Sequence, residues 1–155
     1  MTRPTAPRSA IPPRRKRSKT PLFIALAILG LVVVFALIRL TINSFERRAA
    51  HRMVNPVPAT PAELDAGKNL YQTHCASCHG SDGDGQGDRA GELWSKPTDF
   101  RKAAKMRRST DGDLFWITTK GSWPMPAFEK KLTPLERWQA IDYIRTFAQP
   151  STSSK

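Results

Sequence analysis

The sequence predicts an all-α protein: an N-terminal transmembrane helix, a tether, and then a helical domain. Three observations predict it. Residues 22–40 form an unbroken apolar run whose single charge, Arg39, lies at its end. Two Thr-Pro-x-Glu sequences, beginning at Thr60 and Thr133, each announce a helix start with proline at the first helical position. No segment sustains apolar–polar alternation between hairpin turns.

The apolar run, as a helix, spans roughly 28 Å, close to the hydrocarbon thickness of a bilayer. It shows no polar face, unlike a core helix of a globular domain. The transmembrane anchor is expected over 21–42. No small-x-small cleavage site follows Leu40, so the anchor is expected to be retained rather than removed as a signal peptide.

Charge orients it. The chain of 155 residues carries +12. Residues 1–52 hold eleven Lys/Arg and one acid, whereas residues 53–155 hold fourteen and twelve. The basic excess therefore belongs to the N-terminal side, and no nucleic-acid partner is expected of the nearly neutral domain. Residues 1–20 carry seven of the cations, no acid and four prolines. They are expected to be a disordered basic tail on the cytoplasmic side, because the more positive flank stays inside. The rest of the chain is then exported, to the periplasmic or outer face of a bacterial cytoplasmic membrane.

Residues 43–59 read as a tether. The stretch FERRAAHRM is compatible with further helix, and Asn55-Pro56-Val57-Pro58 then enforces extended backbone. The domain is expected over 60–149, followed by a polar tail over 150–155. Its first helix should run from the Thr60 capping box to about His74, with Leu64, Gly67, Leu70 and Tyr71 on one face. Thr110-Asp111-Gly112-Asp113 should cap a shorter helix that stops at Gly121. The last helix should start at Thr133, with Leu135, Trp138, Ile141, Ile144 and Phe147 at helical spacing. A domain this small has a marginal core and calls for something large and apolar at its centre.

Cys75-Ala76-Ser77-Cys78-His79 supplies a reason. Cys-x-x-Cys-His is the attachment signature of a c-type haem. Two thiols three residues apart can add to the two vinyl groups of one porphyrin, and the histidine that follows then meets the iron. A thioredoxin-like pair would need a βαβ context, and a zinc site two more ligands at finger-like spacing. A bare disulfide is also compatible with an exported domain.

With these residues in hand, the domain resembles a class I c-type cytochrome from about Thr60 to Ala148. The resemblance implies crossing first and last helices, for which Gly67, Tyr71, Trp138 and Tyr143 are suited. It implies one covalent haem c on Cys75, Cys78 and His79. The candidates for the second axial ligand are Met106 and Met125. Met106 lies in the basic stretch RKAAKMRR and is expected to face water. Met125 lies between Pro124 and Pro126 with Trp123 and Phe128 as apolar cover. The family carries its methionine in a similar Met-Pro-x-Phe loop, so Met125 is the expected ligand. His51 sits in the tether, and His74 precedes the attachment turn. Related cytochromes use a proline carbonyl to accept the second imidazole N–H, and Pro97 is the available residue.

Two further segments carry weaker signals. Residues 81–88, SDGDGQGD, resemble a calcium loop, but the position for the closing Glu is Leu93. They are expected to be a backbone turn beside the attachment motif. Residues 101–108 hold five cations, read either as a solvated segment or as a docking patch for an acidic partner.

The implied function is electron transfer by a membrane-tethered mono-haem carrier with His/Met ligation, not an enzyme in itself. The rival within electron transfer is a fixed cytochrome subunit of a larger quinol-oxidising or terminal-oxidase complex. Expected partners are the membrane and redox proteins: a quinol-oxidising complex, a terminal oxidase or another cytochrome. A haem sensor or peroxidase is disfavoured, because no distal His or Arg stands beside Met125 in the sequence.

Overall fold

The computed structural model describes residues 20–148. The basic tail, apart from Thr20, and the polar tail over 150–155 lie outside the described residues. Six α-helices follow in order: α1 (Thr20–His51), α2 (Pro61–His74), α3 (Ala76–His79), α4 (Ala103–Arg108), α5 (Asp111–Lys120) and α6 (Pro134–Thr146). The chain divides into two compact units, Met1–Thr41 and Ile42–Lys155. The architecture is all-α, as the sequence predicts.

In the first unit, α1 presents its apolar side chains outward all round. Among the described residues it is the helix long and apolar enough to cross a membrane. It does not stop near Ile42 but continues through His51.

In the second unit, α2 crosses α6. A Cβ at Gly67 would run into the carbonyl of Gln139, so the two backbones meet where α2 has no side chain. Tyr71, fully buried, lies beside Tyr143 and Phe147 of the α6 end, with ring centroids 5.5 and 5.1 Å away. Its hydroxyl donates to the Gly80 carbonyl at 2.7 Å, which ties α2 to the turn after α3. Trp138, also buried, stacks on Phe115 of α5, centroids 4.1 Å apart, and Arg137 lays its guanidinium 4.9 Å from the Phe115 ring. Leu135, expected on the inner face of α6, is 54% exposed.

The helix starts follow the sequence. At α5 and α6 the reciprocal capping box is complete, Thr110 with Asp113 and Thr133 with Glu136. At α2 only half forms. Thr60 accepts from the Glu63 N–H, but the Glu63 carboxylate turns to accept from Gln139 across the helix crossing at 2.6 Å.

Residues 43–59, read from the sequence as a tether, make specific contacts with the domain. Residues 43–51 are the last turns of α1, and they pack on α5. A Cβ at Gly112 would strike the carbonyl of Ala50, which is itself buried. His51 Nδ1 lies 2.8 Å from the Asp113 carboxylate, and the Thr110 hydroxyl donates to the His51 carbonyl at 3.0 Å. The Pro-rich part that follows is laced to α6: the Asn55 side chain donates to Asp142 at 2.7 Å and to the Trp138 carbonyl at 3.3 Å. The sequence hides this because the contact uses small residues, Ala50 and Gly112, which carry no pattern.

Candidate functional site

Cys75 ends α2 and begins α3, so the attachment motif is one tight helical turn. The N–H groups of Cys78 and His79 both donate to the Cys75 carbonyl, at 3.1 and 2.9 Å. Both thiols are free and half-buried. Burial, with the Cys78 thiol nearby, pushes the Cys75 thiol up to about 12. The turn thus presents two thiols and an imidazole on a rigid three-residue spacing.

His79 is held from two sides. Its Nδ1 meets the Thr98 carbonyl at 3.1 Å. The carbonyl is Thr98's and not that of Pro97, one residue earlier. The loop between explains the offset: the Gly85 backbone sits tightly against the Pro97 carbonyl, so that oxygen is turned toward the glycine loop. Phe100 lies parallel to the imidazole, centroids 4.6 Å apart at 18°. Burial lowers the His79 pKa, with the nearby Lys105 cation acting in the same sense and the Thr98 bond opposing both. The ring is therefore neutral at pH 7. With the Nδ1 proton donated to Thr98, Nε2 carries the free lone pair, the form a metal ligand requires.

The glycine-rich loop after His79 folds back on the motif, as expected of a backbone turn. The Gly85 N–H donates to the His79 carbonyl at 2.7 Å, and the Phe100 N–H donates to the Gly83 carbonyl at 2.7 Å. The Phe100 side chain, buried at 7% exposure, joins Tyr71, Met106 and Ile144 in the core.

Met106 is the clearest correction to the sequence reading. It is 2% exposed rather than facing water. The basic stretch folds into α4, which turns Met106 inward and leaves Lys105, Arg107 and Arg108 outside. Arg145 of α6 fixes this helix. Its guanidinium donates to the carbonyls of Met106 and Ser109 and to the Asp111 carboxylate, each at 2.7 Å. Both carbonyls lie at the C-terminal end of the short helix, where the Met106 carbonyl also accepts from the Ser109 N–H at 3.3 Å. Of the other cations in the run, Arg101 pairs with Asp99 at 3.1 Å and Lys105 reaches the Thr98 hydroxyl at 3.3 Å.

Met125 sits in a tight turn before α6. Ser122 and Met125 exchange both backbone hydrogen bonds, at 3.0 and 2.8 Å. The Phe128 N–H donates to the Thr118 carbonyl at 3.0 Å, tying the loop to α5. Phe128 is buried and lies edge-on to His74, centroids 6.2 Å apart. The methionine loop and the cysteine turn are therefore linked through the residue that precedes Cys75. Trp123, expected as apolar cover, is instead 81% exposed.

The donor set fits a c-type haem. Two free thiols one helical turn apart stand beside a neutral histidine whose outer nitrogen is already anchored. Cys75, Cys78 and His79 would hold the group, and Met125 is the half-buried thioether available on the loop tied to His74.

Comparison with known proteins agrees with this arrangement. Residues 62–144, over half of the chain, match the family described as cytochrome c oxidase, cbb3-type, subunit III. A thiosulfate dehydrogenase of Allochromatium vinosum is 33% identical over 89 residues, covering 54% of this chain and 31% of that protein. A cytochrome c-553-like protein of Synechocystis sp. is 26% identical over 113 residues, covering 73% and 96%. The chain thus spans about a third of the dehydrogenase and nearly all of the cytochrome c-553-like protein. Among solved structures, a chain of the Kuenenia stuttgartiensis reducing HAO-like protein complex is similar with a TM-score of 0.53 and 30% identity, over 61% of this chain and 47% of that one. The long apolar helix, one among the described residues, together with these bacterial relatives, supports a single-pass membrane protein. By the extent of its match, the protein belongs to the cbb3-type cytochrome c oxidase subunit III family, as a c-type-cytochrome-like electron-transfer domain behind an apolar helix.

Proposed function

We propose that the protein is a mono-haem cytochrome c subunit, fixed in a larger quinol-oxidising or terminal-oxidase complex of a bacterial cytoplasmic membrane. The observation that carries the fixed reading is the docking of residues 43–57. Gly112 admits the Ala50 carbonyl, His51 meets Asp113, and Asn55 bonds α6. A carrier that swings between partners would keep this segment free, whereas here it is part of the domain's surface. The family match supports the same choice.

When bound, haem c would supply a one-electron couple between Fe(II) and Fe(III). The residues of this chain do the rest. Cys75 and Cys78 would hold the group covalently, so a small domain need not enclose it. His79 would offer Nε2 to the metal, and the Thr98 carbonyl keeps its other nitrogen protonated and its ring oriented. Met125 would offer a soft thioether, which would favour the reduced state and raise the potential. With His79 and Met125 both serving as ligands, the site would move electrons rather than bind substrate. The N-terminus lies in the cytoplasm and the domain on the outer face.

The likeness to thiosulfate dehydrogenases supports a second reading, in which the domain accepts electrons for a catalytic partner. One preparation separates the readings. The full chain is extracted from membranes in mild detergent and its co-purifying chains are identified. Oxidase or quinol-oxidising subunits are the expected outcome. A protein that runs alone refutes the fixed subunit, and a sulfur-oxidising partner favours the second reading. Treatment with acid acetone tests the attachment itself, because a haem that extracts from the polypeptide removes the c-type assignment.

A further inference from the structure

Two adjoining hollows flank His51 on the second unit. One, of about 370 Å³, is lined by residues that include Arg52, Met53, Val54, Arg107, Asp111 and Arg145. The other, of about 390 Å³, is lined by Arg47, Arg48, His51 and Asp113. Their acids are already engaged. Asp111 accepts from Arg145, and Asp113 accepts from the Thr110 N–H and meets His51. Among the described residues no carboxylate pairs with Arg48, Arg52 or Arg107, and Arg47 lies over the Trp116 ring at 5.9 Å. Four guanidinium groups therefore line the two hollows on either side of His51, with little carboxylate to balance them.

Apolar surface is interleaved with this charge. Phe45 is 74% exposed, Met53 42% and Val54 81%. Three of the four arginines come within a dozen residues of the end of the apolar run at Leu40.

We propose that this cluster is a binding site for the headgroup of an anionic phospholipid. The planar guanidinium forks of Arg52 and Arg107 match phosphate oxygens in pairs, as an ammonium cannot. Arg47 and Arg48 add charge on the other side of His51. Met53 and Val54 suit the glycerol and upper acyl chain. An acidic protein face would match the charge alone. A lipid matches charge and exposed apolar groups together, and it is the phosphate that a chain leaving the bilayer meets first. The inference rests on α1 spanning a membrane and not on the haem assignment.

The test uses the full-length protein in nanodiscs of equal parts phosphatidylcholine and phosphatidylglycerol. The discs are dissolved in mild detergent, and the lipids retained on the protein are quantified by native mass spectrometry. The wild type should retain phosphatidylglycerol over phosphatidylcholine by about tenfold, and Arg52→Gln/Arg107→Gln should remove most of that preference, since each basic side chain near an anionic surface contributes a several-fold factor. Arg52→Lys/Arg107→Lys should keep part of it. Lys68→Gln/Lys130→Gln, at exposed positions elsewhere, should leave it unchanged. Circular dichroism and the melting midpoint of each variant establish that it folds as the wild type does. The proposal is overturned by a wild type without preference or by a glutamine variant that keeps it in full. It is equally overturned if the control pair loses the preference. Inorganic phosphate that displaces the lipid at comparable concentration would make this a free-anion site instead.

Discussion

Phe100 lies face to face with the imidazole of His79, ring centroids 4.6 Å apart and planes 18° from parallel. The same ring meets Tyr71 edge-on at 6.4 Å. The histidine is thus clamped between a carbonyl at its edge and an aromatic face, and that face is backed by the α2–α6 crossing. Replacing Phe100 with Leu should cost about 1–3 kcal/mol, from a lost aromatic pair and a partial cavity. Urea titration checks this, and a midpoint equal to wild type would show that the stack does not contribute to stability.

The two methionines should separate by phenotype. Met106→Ala opens a cavity in the core and should cost about 2–5 kcal/mol. It should leave the weak near-infrared sulfur-to-iron band in place. Met125→Ala should remove that band and lower the potential, with a smaller loss of stability. The opposite pattern would exchange the roles of the two residues.

Gly67→Ala should destabilise the domain by about 1–3 kcal/mol, because the added methyl meets the Gln139 backbone, which has no side-chain freedom to yield. Gly91→Ala, where nothing lies within 4 Å, serves as the matched control and should leave the melting midpoint within error.

Asp113 should make stability depend on acid. Desolvation raises its pKa, but the bonds from the Thr110 backbone and from His51 outweigh this and hold the carboxyl below its usual value. A depressed folded pKa contributes stability above the unfolded value of about 3.9, and that stability is lost as pH falls through the folded pKa. Asp113→Asn should therefore be less stable than wild type at pH 7. The gap should close once the pH is well below 3.9. A gap that persists unchanged in strong acid would mean that the carboxylate charge is not its source.

Topology is open to a direct check. A reporter fused after Lys155 should be active outside the cytoplasm, and sequencing of the mature chain should find residues ahead of Leu22. A mature N-terminus beyond Leu40 would mean that the apolar segment is cleaved.

Much of the fold was legible because helix starts are written locally. Thr60-Pro61, Thr110-Asp111 and Thr133-Pro134 each place a cap where the structure has one. The attachment turn was legible for the same reason, since its chemistry lies in five consecutive residues. What escaped depends on contacts between distant segments. Met106 looked solvent-facing because five cations surround it, yet one helical turn suffices to bury one side chain and expose its neighbours. Thr98 was passed over for Pro97 because residue identity does not say which carbonyl a loop turns inward. The docking of residues 43–51 left no mark because its key residue, Gly112, acts by lacking a side chain.

The pairing of α2 with α6 has a consequence for synthesis. The first and last helices of the domain are each other's principal support, joined at Gly67–Gln139 and Tyr71–Tyr143. While the chain emerges, α2 and the cysteine turn appear early, but the surface that covers them is made last. Until Phe147 has been translated, Tyr71 lacks the full aromatic cover of Tyr143 and Phe147. Long-range closure of this kind comes late in folding. The cysteine turn therefore passes through an open interval in which both thiols are accessible.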